Sequence, residues 1–327
     1  MTKAAEIRTL TIASKAGATA DIVTMGAALR DLRIPTGKGL QRVVLGYEDP
    51  ASYAVSPNYI GATAGRYCNR IARGRVEIDG VAYQLGVNEK DTAQLHGGAT
   101  GFSYRNWTVV VSDERSVLLE LISGDGEEGY PGEVRARCLY EFIEPATLRI
   151  TLTARTDAPT FVNLTNHAYF TLNNAGDSRE HLLRVNADFY TPADENLLPT
   201  GEILAVAGTP FDFREERRIA DGGIPYDVNF VLRRFSEPLP VVASLTHPAS
   251  ALTLRVASNQ PGVQLYDGAG VVQHFAGIDG QIHKAFAGIC LETQVFPDSP
   301  NQRHFPQARL NPGERYCNIT EYRFSGT

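Results

Sequence analysis

Val76-Glu77-Ile78-Asp79-Gly80-Val81-Ala82-Tyr83-Gln84-Leu85 decides the fold class. Two short apolar-alternating runs flank Asp79-Gly80, and an Asp-Gly pair in that setting is the strongest short hairpin signal in the chain. The same pattern repeats outward in both directions. Residues 107–111 and 116–122 flank Asp113-Glu114-Arg115, and residues 134–143 and 148–154 flank Glu144-Pro145-Ala146-Thr147. Upstream, residues 21–34 alternate loosely around a Met25-Gly26 break. Downstream, strand-like runs follow at 160–171, 182–190, 241–246, 252–257, 262–266 and 315–324. Helical periodicity is weak almost everywhere. Thirty glycines and 18 prolines are spread along the chain, as many turns require. Short strands at close spacing with turn signals predict an all-β sandwich. Residues 194–225 are loop-rich but anchored by Leu197, Leu198, Phe211 and Phe213. No domain boundary is expected there, and residues 1–327 read as a single large β domain.

Composition narrows the function classes. The chain has 327 residues, enough for a substantial core, and 43% are hydrophobic, which sets it apart from disordered chains. A net charge of -6 and a pI of about 5.7 argue against nucleic acid or an anionic membrane as partner. No apolar stretch approaches the length of a spanning helix. The first 23 residues alternate apolar with polar and charged side chains and contain no apolar h-region, so no signal peptide is expected. Cys68, Cys138, Cys290 and Cys317 are widely spaced with no C-x-x-C, which fits reduced thiols in a cytoplasmic protein. The sequons at Asn106, Asn163 and Asn318 carry no meaning without secretion.

The chemistry starts at residues 285–302, AFAGICLETQVFPDSPNQ. An apolar run reads as a buried strand, and Glu292 follows Leu291 with no Lys or Arg in the next ten positions. A carboxylate there is costly to bury unpaired, and burial raises its pKa towards the range of a working base. Strand alternation puts Cys290, Glu292 and Gln294 on one face, with Ile289 and Leu291 on the other. In Asn163-Leu164-Thr165-Asn166-His167-Ala168-Tyr169-Phe170, read as a strand, Asn163, Thr165, His167 and Tyr169 form a polar face. His167 there is a candidate proton carrier near neutral pH. His96 precedes Gly97-Gly98, where a backbone or ligand can approach closely. Arg70 follows Asn69, and Asp227 sits in Pro225-Tyr226-Asp227-Val228. Each alone fits a blander setting: a solvated strand end for Glu292, a solvated face for His167, a turn for His96 and Asp227, surface charge for Arg70.

Other motifs fall away. Gly124-Asp125-Gly126-Glu127-Glu128-Gly129 matches the spacing of a dinucleotide loop, but Tyr130-Pro131-Gly132 makes a turn where a helix is needed, and three acidic side chains repel a pyrophosphate. The seven histidines show no H-x-x-x-H pair and no spacing shared with cysteine, so no metal site is expected. There is no G-x-S-x-G elbow.

Together and in this order, the segments resemble the aldose 1-epimerase family, the galactose mutarotases. The resemblance is carried by Asn69-Arg70-Ile71 with Gly74, Leu95-His96-Gly97-Gly98, Asp125-Gly126-Glu127-Glu128-Gly129-Tyr130-Pro131-Gly132 and Asn166-His167-Ala168-Tyr169-Phe170. It continues through Tyr190-Thr191-Pro192-Ala193-Asp194, Leu198-Pro199-Thr200-Gly201-Glu202-Ile203, Gly262-Val263-Gln264-Leu265-Tyr266 and Leu291-Glu292-Thr293-Gln294, covering nearly the whole chain from about Gly26. It implies a large antiparallel β-sandwich, the galactose mutarotase-like supersandwich, with a carbohydrate cleft on one face. It implies Glu292 as general base and His167 as general acid. Arg70, His96, Asp227, Gln264 and Asn69 are its implied substrate-binding residues. The implied reaction interconverts the α and β anomers of a free aldose such as D-galactose or D-glucose. The implied partner is a monosaccharide, with no cofactor or metal, in a monomer or homodimer.

The chemistry fits those residue types. A hemiacetal ring opens when its C1 hydroxyl loses a proton while its ring oxygen gains one; one acid and one base on opposite sides of the ring suffice. Reference pKa values near 4.3 and 6.5 leave the carboxylate ionised, while the imidazole needs a modest upward shift, which a nearby Glu292 charge supplies. Tyr169 or Phe296 is expected to cover an apolar sugar face. The chain departs from the family at Asp267-Gly268-Ala269, Val228 and Thr171, where Thr-Gly-Asn, His and Asn are common. Those positions bear on which hydroxyl pattern the cleft prefers. Two alternatives stand beside this reading: a non-catalytic sugar-binding protein on the same scaffold, and an epimerase of a sugar phosphate held by Arg70, Arg73 and Arg75.

Overall fold

The computed structural model describes residues 6–326 except 174–175, 234–236, 238 and 251. The first five residues of the N-terminal stretch therefore lie outside the described residues. Every strand-to-strand ladder among the described residues is antiparallel, and the helical pieces are single 3-10 turns. The Asp79-Gly80 hairpin forms as expected. Ile78 pairs with Val81, and both turn residues are left-handed, at φ 53° and 80°. That is a type I′ turn, whose twist matches the flanking strands.

A nine-stranded sheet is the back layer. Its order is Thr108–Ser112, Ser116–Ser123, Val134–Ile143, Thr147–Thr156, Tyr316–Ser325, Thr253–Ser258, Val241–Thr246, Leu182–Val185 and Arg217–Arg218. Its long strands alternate strictly: Val134, Ala136, Cys138, Tyr140 and Phe142 point inward, while Arg135 and Arg137 reach Glu120 on the neighbouring strand. A six-stranded sheet is the front layer, in the order Tyr169–Phe170, Ile289–Gln294, Gly262–Tyr266, Asp227–Leu232, Ala187–Thr191 and Leu204–Ala205. A four-stranded meander, Thr9–Ala13, Thr19–Val23, Ala28–Thr36 and Gly39–Arg42, closes one end. Leu119, Ile150 and Leu254 from the back, Phe230, Val263 and Leu291 from the front, and Ile22 and Leu32 from the meander share one apolar cluster. Burial of such area is the dominant favourable term in folding.

Two expected strands break. Residues 160–171 are three two-residue strands instead of one: Thr160–Phe161 pairs with Arg309–Leu310, Thr165–Asn166 with Thr63–Ala64, and Tyr169–Phe170 with Ile289–Gln294. All of these residues are buried, so no solvent face imposes a period of two. Polar side chains also capture backbone partners, which competes with ladder formation. Asn163 bonds both the C=O and the N–H of Val295, and Asn166 donates to Gly61 O. The run 182–190 splits at Asn186, whose side chain donates to Val241 O, and the chain crosses from the back sheet to the front.

Candidate active site

Strand Ile289–Gln294 is buried on both faces, which explains its unbroken apolar look. Ile289 and Leu291 enter the core. Cys290 and Glu292 face the other way, as alternation predicts, and Glu292 lines a cleft of about 710 Å³. Beyond the strand, the Pro297–Pro300 turn carries Asp298 back to an earlier strand, Arg70–Ala72. Asp298 N–H donates to Arg70 O at 2.8 Å, and its carboxylate accepts Ala72 N–H at 3.0 Å.

Strand Arg70–Ala72 pairs with Ala93–Leu95, so Arg70 lies opposite Leu95 and next to His96. His96 is left-handed at φ 51°, and the two glycines after it are obligatory. A Cβ on Gly97 runs into the Gly65 carbonyl oxygen, and one on Gly98 meets the Glu128 carboxylate. Glu128 belongs to the loop that mimics a dinucleotide fingerprint. Its carboxylate accepts the Thr100 N–H and hydroxyl, and Tyr130 OH donates to Gln94. The buried guanidinium of Arg66 holds the loop from beneath by donating to Pro131 O, Gly132 O and Ser123 Oγ. The acidic loop is therefore a brace for the His96 turn.

Asn69, Arg70, His96, His167, Asp227 and Glu292 all line the one cleft. Gln264 does not. It lies opposite Glu292 across the strand pair and donates to Asp227 Oδ1 at 2.6 Å. Of the two aromatic candidates, Tyr169 lines the cleft, while Phe296 packs on Phe305 in the interior. Tyr59, Tyr226, Tyr266 and Phe211 also line it. These aromatics and Glu89 escape the sequence reading.

Glu89 is the larger omission. Arg70 donates through Nε and Nη2 to both Glu89 oxygens, at 2.7 and 3.0 Å, and through Nη1 to Asp227 at 3.3 Å. Bidentate geometry of this kind is directional as well as strong. Asn88-Glu89-Lys90-Asp91 reads as a solvated turn, and nothing local marks Glu89 as facing inward.

Glu292 Oε1 lies 3.6 Å from His167 Nε2, and Glu292 Oε2 is buried with no hydrogen-bond partner. Tyr169 lies against the His167 ring on one side at 5.0 Å, and Tyr59 stacks near it at 6.0 Å. The separation corrects one expectation. A pyranose ring does not fit between groups this close, but two oxygens bonded to a single anomeric carbon match them. The protonation expectation is also corrected. Burial, then the Asp227 charge, pushes Glu292 well above the carboxylate range, and burial takes His167 down to about 4. Desolvation favours the neutral form of each and outweighs the upward shift expected for His167.

His96 is neutral too, held well below its usual range by burial and by the neighbouring His167 and Arg70. Its Nδ1 accepts the Asn69 N–H at 3.2 Å, so its proton sits on Nε2 and the ring is a hydrogen-bond donor there. The sequence has no metal-binding spacing, yet the fold brings nitrogens of His96 and His167 and a Glu292 oxygen within 4.8 Å of one another. The donor set is a poor fit for a metal ion, because the hydrogen bond to Asn69 leaves His96 Nε2 without a free lone pair.

Fold and site together define a class: an antiparallel β-sandwich with a carboxyl–imidazole pair in a polar, aromatic-walled cleft. The sequence profile described as aldose 1-epimerase matches residues 8–323. Galactose mutarotase from Mus musculus is 40% identical over 313 residues, 93% of this chain and 90% of that protein. Aldose 1-epimerase from Escherichia coli (strain K12) is 36% identical over 333 residues, 97% of this chain and 95% of that protein. Among solved structures, an aldose epimerase homologue from C. elegans superposes with a TM-score of 0.93 at 30% identity, covering 98% of this chain and all of that one. The chain belongs to the aldose 1-epimerase family.

Proposed function

We propose that this protein is a mutarotase, an isomerase that interconverts the α and β anomers of a free aldose such as D-galactose or D-glucose. The observation that carries the reading is the Glu292–His167 pair at 3.6 Å, with a buried carboxyl oxygen left unpartnered at the cleft. The pair holds one proton to give and one site to take, so moving the proton from carboxyl to imidazole changes no net charge. With Glu292 ionised and His167 protonated, Glu292 takes the C1 hydroxyl proton. The C1–O1 bond becomes a carbonyl, the bond from C1 to the ring oxygen breaks, and His167 Nε2–H protonates that oxygen. Rotation about C1–C2 and reversal of both transfers yields the other anomer. His96 Nε2–H donates to a sugar hydroxyl, Asn69 lines the same wall, and Arg70 and Asp227 fix hydroxyls as a charged pair. Gln264 acts through Asp227.

The sugar-phosphate alternative loses support. Arg73 and Arg75 are exposed, and Arg70, the one Lys or Arg among the described lining residues, is already engaged by two carboxylates. We read residues 1–327 as one domain, in a cytoplasmic monomer or homodimer. No helix among the described residues is long and apolar enough to cross a membrane. The test is polarimetry on freshly dissolved α-D-galactose and α-D-glucose. Acceleration over buffer is the expected result; sugar binding by calorimetry with flat polarimetry would support the non-catalytic alternative.

A further inference from the structure

Cys290 and Glu292 stand two apart on one strand, so both side chains point to the same face, and His167 lies across that face. Each meets one ring nitrogen. Glu292 Oε1 is 3.6 Å from Nε2, and Cys290 Sγ is 3.5 Å from Nδ1. The register is set by the neighbouring strand, where Tyr169, two residues after His167, pairs directly with Cys290.

We propose that Cys290 is a positioning residue for mutarotation: its sulfur accepts the Nδ1 hydrogen of His167 and so leaves Nε2 as the nitrogen that gains and loses the proton in the cleft. This rests on His167 being the proton carrier. An imidazolium that gives its Nε2 proton to the ring oxygen becomes neutral imidazole with its remaining hydrogen on Nδ1. A buried N–H without an acceptor is costly, and the thiol sulfur is the side-chain acceptor within reach, beside a backbone contact at His167 itself. The choice of sulfur has a chemical consequence. A carboxylate at this place stabilises the imidazolium and makes the ring a weaker acid. Burial and the adjacent Glu292 keep the Cys290 thiol protonated and neutral, so the imidazolium gains little from it and parts with its proton readily. The proton balance of the reaction is unchanged, because the Nδ1 hydrogen never leaves the ring.

The tautomer is read directly from long-range 1H–15N correlations of 15N-histidine-labelled protein. A protonated His167 Nδ1 is expected in the wild-type protein; an unprotonated Nδ1 overturns the proposal, whatever the variants do. Cys290→Ala is expected to mix the tautomers and lower kcat by about 3- to 10-fold, the scale of one lost hydrogen bond, with KM little changed. Cys290→Ser, which keeps an acceptor, is expected to restore Nδ1–H and most of the rate. Wild-type tautomer and kcat in Cys290→Ala refute the role of Cys290 alone. Wild-type turnover in His167→Asn refutes the proton-carrier reading instead, so the two failures are distinguishable.

Discussion

At one end of the cleft Arg70, Glu89, Asp227 and Gln264 satisfy one another: Arg70 engages both carboxylates and Gln264 holds Asp227 from below. At the other end Glu292 and His167 are also buried, and Glu292 Oε2 has no hydrogen-bond partner. Mutual satisfaction holds a shape, as binding a particular pattern of hydroxyls requires. Desolvation without partners stores free energy in the protonation states, as a proton relay requires. Part of the cleft is thus held by mutual pairing, and part keeps a buried carboxyl oxygen unpartnered.

The largest expected effect is on turnover. Glu292→Gln and His167→Asn are each expected to lower kcat by about 10²- to 10⁴-fold, the usual share of a positioned acid or base. Glu292→Gln should nonetheless be at least as stable as wild type near neutral pH, since it removes a carboxyl whose charged form burial disfavours. A Glu292→Gln protein that turns over at the wild-type rate, or melts well below it, breaks the comparison.

Next is the clamp. Arg70→Met leaves Glu89 and Asp227 facing each other without their cation. The expected loss is about 3 kcal/mol, the low end for breaking a buried pair because both carboxylates keep some exposure. It should shift the urea midpoint downward and raise KM more than it lowers kcat. A kcat loss equal to that of Glu292→Gln would merge the two ends into one unit.

The smallest effect is the sharpest in sign. Glu292 has a raised folded pKa, so the unfolded chain binds fewer protons and this contribution to stability is lost as pH rises above the ordinary carboxylate value. His167 has a folded pKa depressed to about 4, so its contribution is present above about 6.5 and lost as pH falls towards 4. Melting temperatures across this range should show the advantage of Glu292→Gln over wild type growing with pH. The advantage of His167→Asn should grow as pH falls. Parallel curves would show that neither pKa changes on folding and would overturn the burial argument for both groups.

Much of this was legible in the sequence, for physical reasons. Asp79-Gly80 forms its turn from two residues alone, and Glu292 advertised itself as a carboxyl in an apolar strand. His167 and His96 were legible through their motifs, but their strong desolvation was not, because burial depends on sheets contributed from elsewhere. Tertiary packing is also why residues 160–171 misled: with both faces buried, periodicity stops reporting direction. Glu89 was missed because a turn carboxylate looks the same whether it meets water or a guanidinium 19 residues earlier in the chain.

The grip of Asp298 on the Arg70 strand ties late chain to early chain. A growing polypeptide that has made Arg70, His96 and His167 still lacks both Glu292 and this fastening. Catalysis is therefore withheld until almost the entire polypeptide has been made, and sheets built from such distant pairings form slowly. Optical rotation of a sugar solution then doubles as a clock for refolding, since the signal can start only once the Arg70 and Asp298 segments have met.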